Sequence, residues 1–339
     1  MKRRRKRGRP VPVLLLLVFL ALVADAWNEL TSPLALQQEV RVVVAPGAHL
    51  RSILSAWEQQ GILRSARQAR YLGIYARVAG LDTAIKSGEF AIQPGMRPLD
   101  LTRLLVSGRG ILHEIRIIEG WQFEEMLAAV LADPRLLHGP QPLSGESVMR
   151  ALGRPDLAPE GQFFPDTYRF PRNSSDMALM RQAFEAQQKI LAQAWAGRDP
   201  GIPLASPAEA LILASIIERE TGRPSERAEI AGVFARRLRL GMRLQTDPTV
   251  IYGLGAAFDG NLRRADLQRD TPFNTYTRKG LPPTPICLPG RDAIHAAVHP
   301  ASGETLYFVA RGDGSHQFSA SVGEHNSAVR KYQLRRKTP

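Results

Sequence analysis

Leu211-Ile212-Leu213-Ala214-Ser215-Ile216-Ile217-Glu218-Arg219-Glu220-Thr221 reads as a buried helix that ends in carboxylates. Ser206-Pro207-Ala208-Glu209 starts it: Ser206 can cap free backbone N–H groups, Pro207 suits the first helical position, and Glu209 completes a capping box. From Ala210 to Ile217 only Ser215 is polar, so protein must cover most of the helix circumference. Glu218 lies one turn beyond Ala214, on the stripe of Leu211, Ala214 and Ser215. A carboxyl delivered by an apolar helix is partly desolvated, and desolvation raises its pKa above about 4.3. Such a group serves as a general acid near neutral pH. The competing reading is a helix that simply surfaces there. Glu220 lies roughly 200° around the helix from Glu218. The helix therefore supplies one carboxyl to a site, not two.

The 339 residues allow two or three domains, and 44% hydrophobic with 23% charged residues is ordinary for a globular protein. Of the net charge of +13, Lys2, Arg3, Arg4, Arg5, Lys6, Arg7 and Arg9 supply seven, and Arg330, Lys331, Arg335, Arg336 and Lys337 crowd the other end. The body is only mildly basic, and no helix-turn-helix, zinc or RNP-type signature supports a nucleic-acid partner. A single cysteine, Cys287, excludes an intramolecular disulfide and a cysteine metal cluster.

Residues 1–27 pair a basic block with the apolar run Val11 to Ala24. The positive-inside rule keeps the basic end cytoplasmic and exports the rest. Fourteen residues make a helix of about 21 Å against a hydrocarbon core of roughly 30 Å, so a span must borrow residues up to Trp27. Ala24-Asp25-Ala26 also fits a small-x-small cleavage site, so a removable signal peptide competes with the retained anchor expected here. Residues 28–40 read as a linker.

A pattern then recurs three times: a short β-rich run, a turn glycine, and a helical apolar spacing. The copies are Val42–Gly47 leading to Leu50, Ile53 and Leu54; Phe90–Gly95 leading to Leu101, Leu104 and Leu105; and Ile115–Gly120 leading to Phe123, Met126 and Leu127. Glycine easily takes the positive φ such turns need. The arrangement resembles the LysM-like modules that bind glycan chains, although any small α+β unit shares it. Residues 28–131 are assigned to this region, with glycan affinity and no catalysis. Residues 132–158, rich in Pro, Gly and Leu, read as a hinge, and 159–339 as a larger mixed α/β domain. The class is α+β. Helices are expected over Met177 to Ala196 and Ala228 to Leu240, the latter ending in Arg236-Arg237-Leu238-Arg239 as a solvated basic face.

Loops of the larger domain carry special residues: Glu160–Phe170, Arg243–Gly253, Thr271–Tyr276 and Gly280–Pro283. Planar amides, carboxylates and aromatic faces are what sugar sites require. The same residues are common turn formers. His295 and His299 share a helical spacing, but Ala stands where a metalloprotease has Glu, Pro300 follows at once, and no third ligand is evident. No metal and no cofactor are expected. His316 and His325 read as turn fasteners or cleft residues.

Several stretches together are similar to the YceG-like family: Glu160–Phe170, Leu213–Thr221, Gly241–Gly253, Asn274-Thr275-Tyr276 with Gly280–Pro283, and Leu306–Ala310 with Glu324-His325-Asn326. The sequence departs from the family at Thr284, at Ile286-Cys287-Leu288-Pro289 and at Phe273. The resemblance implies a membrane-anchored lyase, with its bulk periplasmic, that cleaves the MurNAc–GlcNAc β-1,4 bond inside peptidoglycan strands and leaves 1,6-anhydro ends. It places the catalytic glutamate at Glu218. Gln245, Asp247, Asn274, Tyr276 and Glu220 are the candidates for holding sugar. Peptidoglycan, the membrane and peptidoglycan synthases are the expected partners. Two alternatives remain at this point: a glycan-binding scaffold with a dead site, and a hydrolase using Glu220, Asp247 or Glu160 as second carboxyl.

Overall fold

The computed structural model describes residues 11–334, so the basic block of residues 1–10 and the cations at 335–337 lie outside the described residues. The chain divides into two compact units. The first holds residues up to His113 together with 135–137 and 169–174, and the second holds Glu114–Pro134, His138–Tyr168 and everything from Ser175.

In the first unit α1 (Val11–Thr31) is followed by β1 (Val40–Val44), α2 (Leu50–Gln59), α3 (Ala66–Val78), β2 (Gly88–Ile92) and α4 (Pro98–Ser107). β1 and β2 pair antiparallel, with Val40 opposite Ile92 and Val44 opposite Gly88. Alternate valines of β1 point inward, so Val42 and Val44 meet Leu50, Ile53, Leu54 and Trp57 of α2 and Leu72 of α3 in one core. α1 corrects the expected short apolar run: it extends seven residues beyond Ala24. The expected linker at 28–40 is also partly core, because Leu30 and Leu34 are buried among the same residues. Arg67 donates to the Glu29 carboxylate at 2.8 Å and the Gln68 amide to its carbonyl at 2.9 Å, fixing the helix end on α3.

β3 (Leu112–Arg116) leads to α5 (Phe123–Leu131), α6 (Gly145–Ala151) and β4 (Thr167–Pro171), and the division between units falls within both β3 and β4. All three expected strand–glycine–helix copies form, and their turn glycines Gly47, Gly95 and Gly120 have φ of 72°, 83° and 80°. The expected boundary at 132–158 is not where the chain divides. The third copy belongs to the second unit because Phe123 stacks on Phe163 at 5.4 Å, and α6 inserts Val148 and Met149.

The rest of the second unit is α7 (Asp176–Ala196), α8 (Pro207–Glu220), α9 (Arg227–Arg239), α10 (Asp247–Leu254), α11 (Arg264–Gln268), α12 (Arg291–Val298), the antiparallel pair β5 (Tyr307–Ala310) and β6 (His316–Ser319), and α13 (Val322–Val329). α8 is its central helix, as the apolar circumference requires: every residue from Ala210 to Ile217 is buried. α7, α9, α10 and α12 pack around it. Each fully buried Leu or Ile there stabilises by about 1.5–3 kcal/mol. Ser206 caps α8 by accepting from Glu209 N–H at 3.3 Å. Glu209 reaches back to Ala205 N–H rather than to the cap itself.

Arg236 and Arg237 are not the solvated face expected of them. Arg237 is 7% exposed and donates to the carbonyls of Leu306 at 2.7 Å and Leu244 at 2.8 Å. Arg236 binds the Thr305 and Ala301 carbonyls. These side chains satisfy loop carbonyls that no sheet or helix covers, which is why charge is kept below the surface.

Candidate active site

The apolar run of α8 carries Glu218 to the edge of the core, and its side chain is only 6% exposed. Both carboxylate oxygens are engaged. Arg227, at the first position of α9, donates to Oε1 at 3.1 Å, and the Gly290 N–H donates to Oε2 at 2.9 Å. Burial raises the Glu218 pKa, against the opposing pull of the Gly290 N–H and Arg227. Arg227 itself is nearly covered and also donates to Asp292 at 3.1 Å, with Glu119 at 4.0 Å. A single guanidinium thus gathers three carboxylates, of which only Glu218 is buried.

The second donor is placed by a chain of contacts that starts on α8. Ser215, the one polar residue of the buried run, donates to the Ile212 carbonyl and accepts the Ile286 N–H at 3.0 Å. Cys287 donates its thiol to the Ser215 carbonyl. The loop then runs through Leu288, whose N–H binds the Trp121 carbonyl at 2.7 Å and whose carbonyl accepts the Gly120 N–H at 2.9 Å. It ends at Gly290, the residue that caps α12. Gly290 has an ordinary negative φ, so its need for glycine is spatial. A Cβ there would stand 2.0 Å from Glu119 Oε1. The third strand–glycine–helix turn, expected to serve glycan affinity alone, therefore builds the wall of the Glu218 site.

Glu220 faces a different neighbourhood, as the helical rotation requires. It is held by the Thr246 hydroxyl, and burial pushes its pKa up to about 7. Beside it the exposed Asp247 accepts the Tyr276 hydroxyl at 2.6 Å. Burial, then the bond to Asp247, raises the Tyr276 pKa. Gln245 has a positive φ of 52°, and its side-chain oxygen accepts from Arg237 at 3.3 Å. Asn274 is fully buried. Its amide donates to the carbonyls of Asp266, Leu267 and Arg269, and its oxygen accepts the Tyr276 N–H at 2.8 Å. That amide clamps the loop that carries Tyr276.

Glu160 is also buried, held by Phe123 N–H at 3.0 Å and the Tyr252 hydroxyl at 3.1 Å. Burial pushes it up to about 7. One histidine of each pair is a fastener. His299 meets Asp199 at 2.7 Å, next to the His295 ring, and His316 meets Glu226 at 2.7 Å. His325 stacks on Tyr307.

The YceG-like family profile matches residues 42–331. The chain belongs to the YceG-like family. An endolytic murein transglycosylase of Bacillus subtilis is 30% identical over 311 residues, which are 86% of this chain and 84% of that protein. The protein of the same name from Streptococcus pneumoniae D39 is 26% identical over 307 residues, 80% of this chain and 54% of the longer relative. A crystal structure of a yceG-like protein, lmo1499, from Listeria monocytogenes aligns with a TM-score of 0.53 at 26% identity, over 86% of this chain and 99% of that one. Within this YceG-like chain, sequence reasoning named Glu218 and missed Arg227, Gly290, Glu119 and Ser215. The signal for Ser215 was present, as the lone polar residue in an apolar helix.

Proposed function

We propose that this chain is an endolytic peptidoglycan lytic transglycosylase, a lyase that cleaves MurNAc–GlcNAc β-1,4 bonds within glycan strands and leaves 1,6-anhydro-MurNAc ends. The observation that carries the reading is Glu218: a buried carboxyl with raised pKa at the end of α8, held from two sides by Arg227 and the Gly290 N–H. The family relatives named endolytic murein transglycosylase support the substrate class.

Two-step hydrolysis normally needs two carboxylates about 5–5.5 Å apart, and inversion needs a wider pair. One carboxyl suffices for the lyase. Protonated Glu218 gives its proton to the glycosidic oxygen as the bond to the MurNAc anomeric carbon breaks. The carboxylate then takes the proton of the sugar's own 6-hydroxyl as that oxygen bonds to the anomeric carbon. Glu218 ends protonated, ready for the next bond. Arg227 supports the carboxylate between the two transfers, and the intramolecular nucleophile removes the need to hold a water. Exposed Gln245 and Asp247, with Tyr276 bonded to Asp247, are the proposed sugar contacts. Glu220 and Asn274 hold those loops from beneath.

The reading extends to the rest of the chain. α1 is long and apolar enough to cross a membrane, and we assign it as a retained anchor with the following residues periplasmic. Ala24-Asp25-Ala26 lies inside this continuous helix, which disfavours cleavage there. The β1–α2–α3–β2 order is LysM-like. A groove of 350 Å³ between the β1–α2 turn and the segment before β2, lined by Pro46, Asp82 and Lys86 among others, is its proposed glycan seat. Peptidoglycan synthases are the candidate partners, with strand termination as the consequence. Product mass decides the chemistry: the lyase gives ends lighter by one water than hydrolysis products. Hydrated ends would establish a hydrolase, and intact strands a scaffold.

A further inference from the structure

We propose that the C-terminal half of α3 docks into the interface of the same membrane leaflet from which α1 emerges. The proposal rests on the reading of α1 as a retained anchor. The observation behind it is a juxtaposition within the first unit: α3 lies against the outer end of α1 and carries an exposed apolar edge beyond that contact.

The apolar half of α1 has no protein cover among the described residues. Leu15, Phe19 and Val23 are 64%, 62% and 50% exposed. Cover begins at Asp25, which accepts the Tyr71 hydroxyl at 2.9 Å, and continues at Glu29, whose carbonyl accepts the Gln68 amide at 2.9 Å. The contacts give the direction. Gln68 of α3 meets Glu29 of α1 and Tyr71, one turn on, meets Asp25, while the long Arg67 side chain reaches both carboxylates. As α3 advances, it runs back toward the apolar half of α1.

Trp27, 69% exposed at this level, marks the interface as aromatic side chains do at membrane boundaries. Beyond Tyr71, α3 presents Ile74 and Val78, four residues apart on one face. They are 55% and 84% exposed, and Val78 is the most exposed large apolar side chain among the described residues. Val78 lies about 10 Å further along α3 than Tyr71. An interfacial helix sinks its apolar face about 5–10 Å into the headgroup and acyl boundary, so the reach is right. Arg70 and Arg77 are exposed on the same helix, where guanidinium groups can meet lipid phosphates. The core of the first unit would thereby be held flush against the bilayer, not swung out on a tether, and glycan gripped by it would be newly made strand close to the membrane surface.

The test uses the full chain in vesicles of phosphatidylethanolamine and phosphatidylglycerol. Cys287 is buried, so an environment-sensitive nitrobenzoxadiazole label can be directed to Val78→Cys, Trp27→Cys or Leu240→Cys. Leu240 is an exposed residue of the second unit that gives the aqueous baseline. Lipids carrying a doxyl quencher on the acyl chain should quench the Val78 and Trp27 labels at least twofold more than the Leu240 label. Quenching at Trp27 with baseline behaviour at Val78 would overturn the docking while leaving the anchor intact. Baseline behaviour at both would overturn the anchor as well. A blue-shifted Val78 label without doxyl quenching would mean that a protein surface covers the edge, which also overturns the proposal.

Discussion

Replacing Arg227 with methionine should move the alkaline limb of the pH–rate profile upward. Arg227 Nη2 lies 3.1 Å from Glu218 Oε1, and the side chain is almost covered. An opposite charge within about 4–6 Å shifts a carboxyl pKa by about 1–3 units. Arg227 also serves Asp292 and Glu119, so only part of its charge acts on Glu218. Removing it leaves Glu218 with the Gly290 N–H alone, and the pKa should rise further. The general acid must be protonated to act, so activity lost on deprotonation is lost at a correspondingly higher pH. Methionine keeps the stem volume, and Glu218 can take up a proton instead of standing as a bare charge. The stability cost should then be about 1–3 kcal/mol, below the 3–5 kcal/mol of a pair broken to leave a buried charge. Arg227→Lys keeps the charge without the fork that spans Glu218 and Asp292, so it should restore the limb but not the full kcat. The assay is release of anhydro ends from purified glycan strands across pH, at folding matched by circular dichroism. An alkaline limb that stays put in Arg227→Met, with amplitude alone reduced, would refute the electrostatic role given to Arg227.

Three further outcomes follow from the same geometry. Gly290→Ala places a Cβ on the Glu119 carboxyl, so the loop must shift and the N–H donor to Glu218 with it. Activity should fall about tenfold or more, as for a lost hydrogen bond to a charged group, and the double variant with Glu119→Ala should recover most of it. Ser215→Ala leaves the buried Ile286 N–H unpaired and should cost about 1–3 kcal/mol, read as a lower Tm. Glu160, raised by burial to about 7 from an ordinary value of 4.5, holds a proton that unfolding releases. Its contribution to stability is therefore present at low pH and lost as pH rises from 4.5 to about 7. Glu160→Gln should remove up to about 3 kcal/mol of that decline in denaturant unfolding. Glu220 titrates in the same window and keeps part of the slope; an unchanged slope would contradict the burial argument.

The helix α8 was legible because its signals are local. Ser206, Pro207 and eight consecutive buried residues are contiguous, and rotation on one helix separates Glu218 from Glu220. The three strand–glycine–helix copies were legible for the same reason. What surrounds Glu218 was not, because Gly290 reaches it from 72 residues away and Glu119 from another turn altogether. Asn274 looked like a sugar ligand, but composition cannot tell an amide facing a cleft from one facing three backbone carbonyls. Arg237 looked solvated because nothing in its own helix reveals the carbonyls of Leu244 and Leu306 waiting above it. The end of α1 was read as linker because its partners, Arg67 and Gln68, sit on another helix.

The most direct measurement compares Glu218→Gln with Glu220→Gln. The amide is nearly isosteric with the carboxyl, so both proteins should fold and bind glycan strands. General acid–base catalysis is worth about 10²–10⁴-fold. In the proposed mechanism Glu218 performs both proton transfers, so the loss of anhydro-end formation in Glu218→Gln should sit at the upper end of that range or beyond. Glu220→Gln, which keeps its contact with Thr246, should lose far less. Near-normal turnover by the Glu218 variant, with loss in the Glu220 variant, would contradict the assignment on which the account depends.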